Sequence, residues 1–309
     1  MMPAHESSAV MTVPPASKPT LARRLRNWLL GAAGIVVVTF GLLVLNNNLS
    51  LFRPSRATFD AQLDRALDDA INWINANREV SERNPSIMYM LADMEVMSGE
   101  PRLKPLLEEY RKRMASPQSI YDYFWARIVN SSGPLPVLTV QDLQWIGFEA
   151  QWDAFAIAPS RVELPEVLRK DLFSPTRYYW GARQHQILAL LMYRHFNGSS
   201  PELDQTINYL AEKIARDQYY DFRVTDSYDQ RVAFVLAAER PDLIRSRWLE
   251  RVLDNQNPDG SWSYCWHGWC RGIFEFGFKY NPGHPTVQAA WMLTMLKYRY
   301  PQWISEHYK

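Results

Sequence analysis

An uncharged apolar run, Trp28 to Leu45, constrains this chain more than any other feature. As a helix rising ~1.5 Å per residue it reaches about 27 Å, enough to cross the hydrocarbon core of a bilayer with some tilt. Lipid offers the backbone no hydrogen-bond partners, so a lone span of this kind has to be helical. A cleaved signal usually has an apolar region of only ~7–15 residues ending in small residues. This run ends instead in Asn46, Asn47 and Asn48, and it reads as an uncleaved anchor. Lys18, Arg23, Arg24 and Arg26 precede it, whereas Arg53 and Arg56 follow. The positive-inside bias therefore puts the N-terminus in the cytoplasm and the body outside, which is the periplasm if the cell is bacterial. The expected division is a disordered cytoplasmic tail over 1–26, an anchor over 27–46 in contact with the lipid bilayer, a linker over 47–58 and an extracytoplasmic domain over 59–309.

The formal net charge of the chain is +1, and the basic residues before the anchor leave the rest marginally acidic. Such a body lacks the basic footprint that nucleic-acid binding needs. Its 12 Trp, 16 Tyr and 13 Phe supply a large core and, secondarily, material for a ligand cavity. Two cysteines, Cys265 and Cys270, lie close together in "YCWHGWCRG". An oxidising compartment favours a disulfide between them. Free thiols are one alternative, and a zinc site drawing on His267 and His284 is another. A structural zinc site needs four ligands that the sequence does not place, so no metal or cofactor is expected.

From Phe59 onward the periodicity is helical. "FDAQLDRALDDAINWINAN" puts Leu63, Leu67, Ile71 and Ile74 on one stripe and most of its aspartates on the other face. "SIMYMLADMEVM", "PRLKPLLEEYRKRM", "QHQILALLMYRHF" and "LDQTINYLAEKIARDQ" repeat the habit. The last helix carries Pro285 in its first turn and stops before Pro301. Ser131 to Pro136 and Pro159 to Pro175 look irregular. The body is expected to be all-α. Tyr209 and Trp248, anchors of similar helix ends, lie 39 residues apart, which suits hairpins recurring every ~40–47 residues. Such hairpins stack into an open solenoid or close into a ring.

One turn interrupts the helices: Gln256-Asn-Pro-Asp259-Gly260-Ser-Trp262. It resembles the Q-x-x-D-G-S-W element, the QW motif, of squalene and terpene cyclases. The match covers about seven residues. The resemblance implies an α/α toroid, a complete or incomplete ring of paired helices, in which this element is a structural clamp. Physically, Asp259-Gly260 makes a tight turn with glycine at positive φ, Gln256 can bond a helix end, and Trp262 can cover the junction.

The chemistry of that family does not follow. Class II cyclases use a D-x-D-D acid, and none is present; the nearest element, "TDSYDQ", offers Asp226 and Asp229 without the central pair. Asp68-Asp69-Ala-Ile-Asn72 is similar to a metal–diphosphate motif but reads as a solvated helix face. Other α/α rings process polysaccharides with paired carboxylates. The candidates here are Glu149 and Asp153, one turn apart and flanked by Trp145, Phe148 and Trp152. The competing reading is a pair of ordinary exposed acids. Asp226 and Asp229 are further catalytic candidates with a similar competing reading, since turns commonly use Asp. His185 reads as a structural histidine. The densest polar-aromatic cluster holds Trp266, His267, Trp269, Arg271 and Glu275; it is the expected binding surface, with His267 a further catalytic candidate. Without an acid motif, the expected function is an anchored binding or assembly module of an envelope system, holding a lipid, a glycan or a partner peptide from an envelope protein. The alternative is an anchored enzyme acting on a polysaccharide or an isoprenoid.

Overall fold

The computed structural model describes residues 21–78, 85–120, 122–129, 134–174, 182–263 and 282–309. It divides into two compact units, Met1–Leu43 and Val44–Lys309. The described residues are helical, with no strand and one isolated bridge between Leu138 and Val162. Helix α1 spans Leu21–Asn48. Within it Arg24–Asn48 is long and apolar enough to cross a membrane, and Trp28, Leu30 and Val37 are exposed.

The second unit alternates two sets of helices. The first set is α2 (Arg56–Ala76), α4 (Lys104–Met114), α6 (Val140–Leu143), α8 (Glu166–Phe173), α10 (Pro201–Tyr220) and α12 (Ser246–Asp254). Between them come α3 (Pro85–Ser98), α5 (Asp122–Val129), α7 (Phe148–Ile157), α9 (Ala182–Asn197), α11 (Asp226–Ala237) and α13 (Gly283–Tyr298); α14 (Pro301–His307) follows. Helix α3 packs on α5, α5 on α7, α7 on α9, α9 on α11, α11 on α13, and α13 again on α3. Helix α2 lies against α12 and α13.

Local signals explain the elements. Ser55 caps α2 by accepting from the Thr58 N–H, and the expected stripe of Leu63, Leu67, Ile71 and Ile74 is buried. Ser200 caps α10, and Pro201 occupies its first turn. Helix α13 is instead buried on every side from Pro285 to Leu296, because other helices cover it all round. Several boundaries differ from expectation: α1 already begins at Leu21, inside the stretch expected to be a disordered tail, and α2 at Arg56, inside the expected linker. The Pro159–Pro175 stretch contains α8, whose short length hides its periodicity. Asn47 and Asn48, expected in a linker, form the last turn of α1 and are buried. The Asn47 carbonyl oxygen accepts from the Tyr228 hydroxyl at 2.9 Å and from Arg251 Nη1 at 3.2 Å, and Trp248 Nε1–H donates to Asn48 at 3.1 Å. Two of three consecutive asparagines thus supply the amides that satisfy buried donors.

Candidate functional site

Four helices of the second set, α7, α9, α11 and α13, each carry titratable or amide side chains within their first two turns. Helix α7 begins after Gly147, with Glu149 in its first turn, where the helix dipole favours a carboxylate. Asp153 follows one turn later and is only 7% exposed. Burial raises the Asp153 pKa well above the ordinary carboxylate range, and the neighbouring Glu149 charge adds to the rise. The exposed-acid reading therefore fails for Asp153. Trp152 is buried behind it, its Nε1–H donating to the Leu168 carbonyl at 3.0 Å, and Phe148 meets that ring edge-on. Trp145 stands out in solvent instead.

Helix α11 repeats the arrangement. Asp226 opens it after Thr225, and Asp229 lies in the same first turn, 1% exposed. Both Asp229 oxygens are buried without a hydrogen-bond partner. Burial raises the Asp229 pKa strongly, the Asp226 charge adds to this, and Arg231 opposes it. Asp226 is reachable: its Oδ1 is 2.6 Å from Nδ1 of His284, the second residue of α13. One turn further on, the Gln288 amide lies 3.1 Å from His284 Nε2.

His185, in the first turn of α9, joins the two halves. Burial lowers its pKa; Glu149 and Asp226 pull the other way, and His284 reinforces the lowering. The imidazole therefore lies within electrostatic reach of both carboxylate pairs and favours its neutral form. Gln230 and Gln288 were not singled out from the sequence, and His284 was considered there only as a possible zinc ligand. Their local signal is polar residues four apart, Asp226/Gln230 and His284/Gln288, at the start of two otherwise apolar helices.

Other candidates resolve differently. Asp68 pairs with Arg102 Nη1 at 2.7 Å, and the same nitrogen donates to Asn72 at 2.9 Å, so this stretch is an exposed ion-pair surface, as its helix face implied. His267, Trp266, Trp269, Arg271, Glu275, Cys265 and Cys270 lie outside the described residues. Among the described residues, no three His, Cys, Asp or Glu side chains are grouped to hold a metal ion.

The 256–262 turn is a clamp in its local geometry. Gly260 N–H donates to the Asn257 carbonyl at 2.9 Å, closing a turn with Pro258 second and Gly260 last at φ 88°. Asp259 Oδ1 accepts from Ser261 N–H and its hydroxyl at 3.0 and 2.7 Å. Gln256 Nε2 donates to Gly260 and to Ala66 in the middle of α2, rather than to a helix end. Trp262, fully buried, donates Nε1–H to Val252 on α12, and its backbone N–H to Thr286 on α13. Three helices thus meet at one turn.

No family model, curated protein or solved structure matches the chain.

Proposed function

We propose that this chain is a membrane-anchored enzyme whose body is an α/α toroid carrying an acid–base site for cleaving a glycosidic bond outside the cytoplasm. The ring reading rests on the packing order of α3, α5, α7, α9, α11 and α13, with the QW-like clamp tying the last hairpin to α2. The catalytic reading rests on one observation: two carboxylate pairs, Glu149/Asp153 and Asp226/Asp229, each set one partly exposed acid beside one whose pKa burial raises well above the ordinary carboxylate range. Pairs of acids whose environments push them apart supply a proton donor and a base in one place. In the proposed reaction a protonated carboxyl donates to the leaving glycosidic oxygen. An ionised carboxylate removes a proton from the water that adds to the sugar carbon.

A glycan fits better than an isoprenoid. The carboxyls, imidazoles and amides of Gln230 and Gln288 match sugar hydroxyls, whereas an all-hydrocarbon substrate would leave them unpaired. A binding or assembly module needs no convergence of acids, and that convergence is why catalysis is the stronger reading. The test is reducing-end release by detergent-extracted full-length protein from peptidoglycan, β-glucan, poly-N-acetylglucosamine and uronate polymers. Glu149→Gln and Asp229→Asn should each lower the rate on the order of 10²–10⁴-fold. No release from any polymer, or variants as active as the parent, would sink the proposal.

A further inference from the structure

The amide of Gln288 is surrounded by four polar atoms. On one side lie Asp226 Oδ1 at 3.1 Å and the Asp226 main-chain carbonyl at 3.2 Å. On the other lie Gln230 Nε2 and His284 Nε2, both at 3.1 Å. The main-chain carbonyl can only accept, so it draws the amide nitrogen of Gln288 toward Asp226. The amide oxygen then faces Gln230 Nε2–H and the imidazole. In this orientation all four contacts are donor to acceptor, provided His284 Nε2 carries a proton. In the reverse orientation the oxygen confronts two acceptors and the nitrogen confronts the nitrogen of Gln230. Meanwhile His284 Nδ1 is 2.6 Å from the Asp226 carboxylate, a distance for a charge-assisted bond.

We infer that Gln288 is a positioning residue that holds His284 with both ring nitrogens protonated, locking His284 and Asp226 into a fixed ion pair. Among the described residues, the groups that face this imidazole include Asp226 from α11 and Gln288 from its own helix, with His185 from α9 within electrostatic reach. Asp93 of α3 acts two turns away, accepting from Trp291 and Arg299. An imidazolium whose two N–H groups are engaged cannot take up a proton. His284 is therefore not the base, and the proton traffic falls to the Glu149/Asp153 pair, to Asp229 and to His185. This deepens the proposed acid–base reading but is tested without any substrate, so the two can fail separately.

The experiment is ring-nitrogen NMR of the detergent-solubilised full chain carrying ¹⁵N-labelled histidine at about pH 7. The His284 signals are assigned by their loss in His284→Gln or, should that variant not fold, by the signals that move in Gln288→Met. In the parent both His284 nitrogens should carry protons. In Gln288→Met, which keeps length but removes the acceptor, the ratio of doubly to singly protonated ring should fall about tenfold, with a similar melting temperature. A parent imidazole with one bare nitrogen would overturn the inference. So would a Gln288→Met variant with the parent's His284 signature.

Discussion

A carboxyl buried without a hydrogen-bond partner opposes folding at every pH where it ionises, and Asp229 is such a group. Its folded pKa is raised, chiefly by burial, while in the unfolded chain it titrates near the ordinary ~3.9. Between those two values the unfolded state releases a proton that the native state keeps. Stability therefore falls as pH rises, by about 1.4 kcal/mol per pH unit for one such group. Asn cannot ionise. Asp229→Asn should melt above the parent at neutral pH, with the gap closing toward about pH 4, even as its catalysis is lost. Melting curves across that range decide the matter; a gap that is constant with pH would show that Asp229 keeps its proton in neither state. The buried acid is retained at a cost in stability, the pattern expected of a functional residue.

At the scale of elements, the 256–262 turn makes three helices dependent on a few atoms. Trp262→Ala would remove a fully buried ring and its bond to Val252, and should destabilise by about 3–5 kcal/mol. Gly260 has less room still. A Cβ there would run into the Asp69 carbonyl, with the carbonyl carbon 2.7 Å away and the φ of 88° unfavourable for any L side chain. Gly260→Val should therefore be at least as damaging, since a backbone in mid-helix cannot yield easily. Glu149→Gln leaves this packing untouched and should melt within a degree or two of the parent while losing activity, as exposed or half-exposed substitutions do. Calorimetry beside the reducing-end assay separates the two sets. A Trp262→Ala protein with parental melting but no activity would move this turn from the scaffold into the site.

For the whole molecule, the apolar run of α1 and the four basic residues ahead of that run define the expected topology. A periplasm-active reporter fused after Lys309 should be active and a cytoplasm-only reporter silent, which would put the proposed site outside the cytoplasm. Activity of the cytoplasmic reporter would reverse the topology. The two ends of the second unit also meet: Arg56 N–H donates to the Lys309 carbonyl at 2.9 Å, and Phe59 stacks on Tyr308 with centroids 3.8 Å apart. With α13 packed on α3, these contacts join early and late helices of the unit.

The apolar span, the stripe on α2 and the glycine turn at Gly260 were all legible in the sequence. Each depends on residues within a few positions of one another, and the backbone period reports them directly. The tertiary structure alone decided which acids are buried and which residues meet. Asp153 and Asp229 have the same local context as many exposed aspartates; only the helices covering them remove water and raise their pKa values. The electrostatic coupling of Glu149, Asp226 and His284 to His185 spans 135 positions and depends on how successive hairpins stack, which no local period encodes. Asn47 and Asn48 make the same point: next to an apolar run they read as the start of a linker, and it was the buried donors of Tyr228, Arg251 and Trp248, nearly two hundred residues away, that made them part of the core.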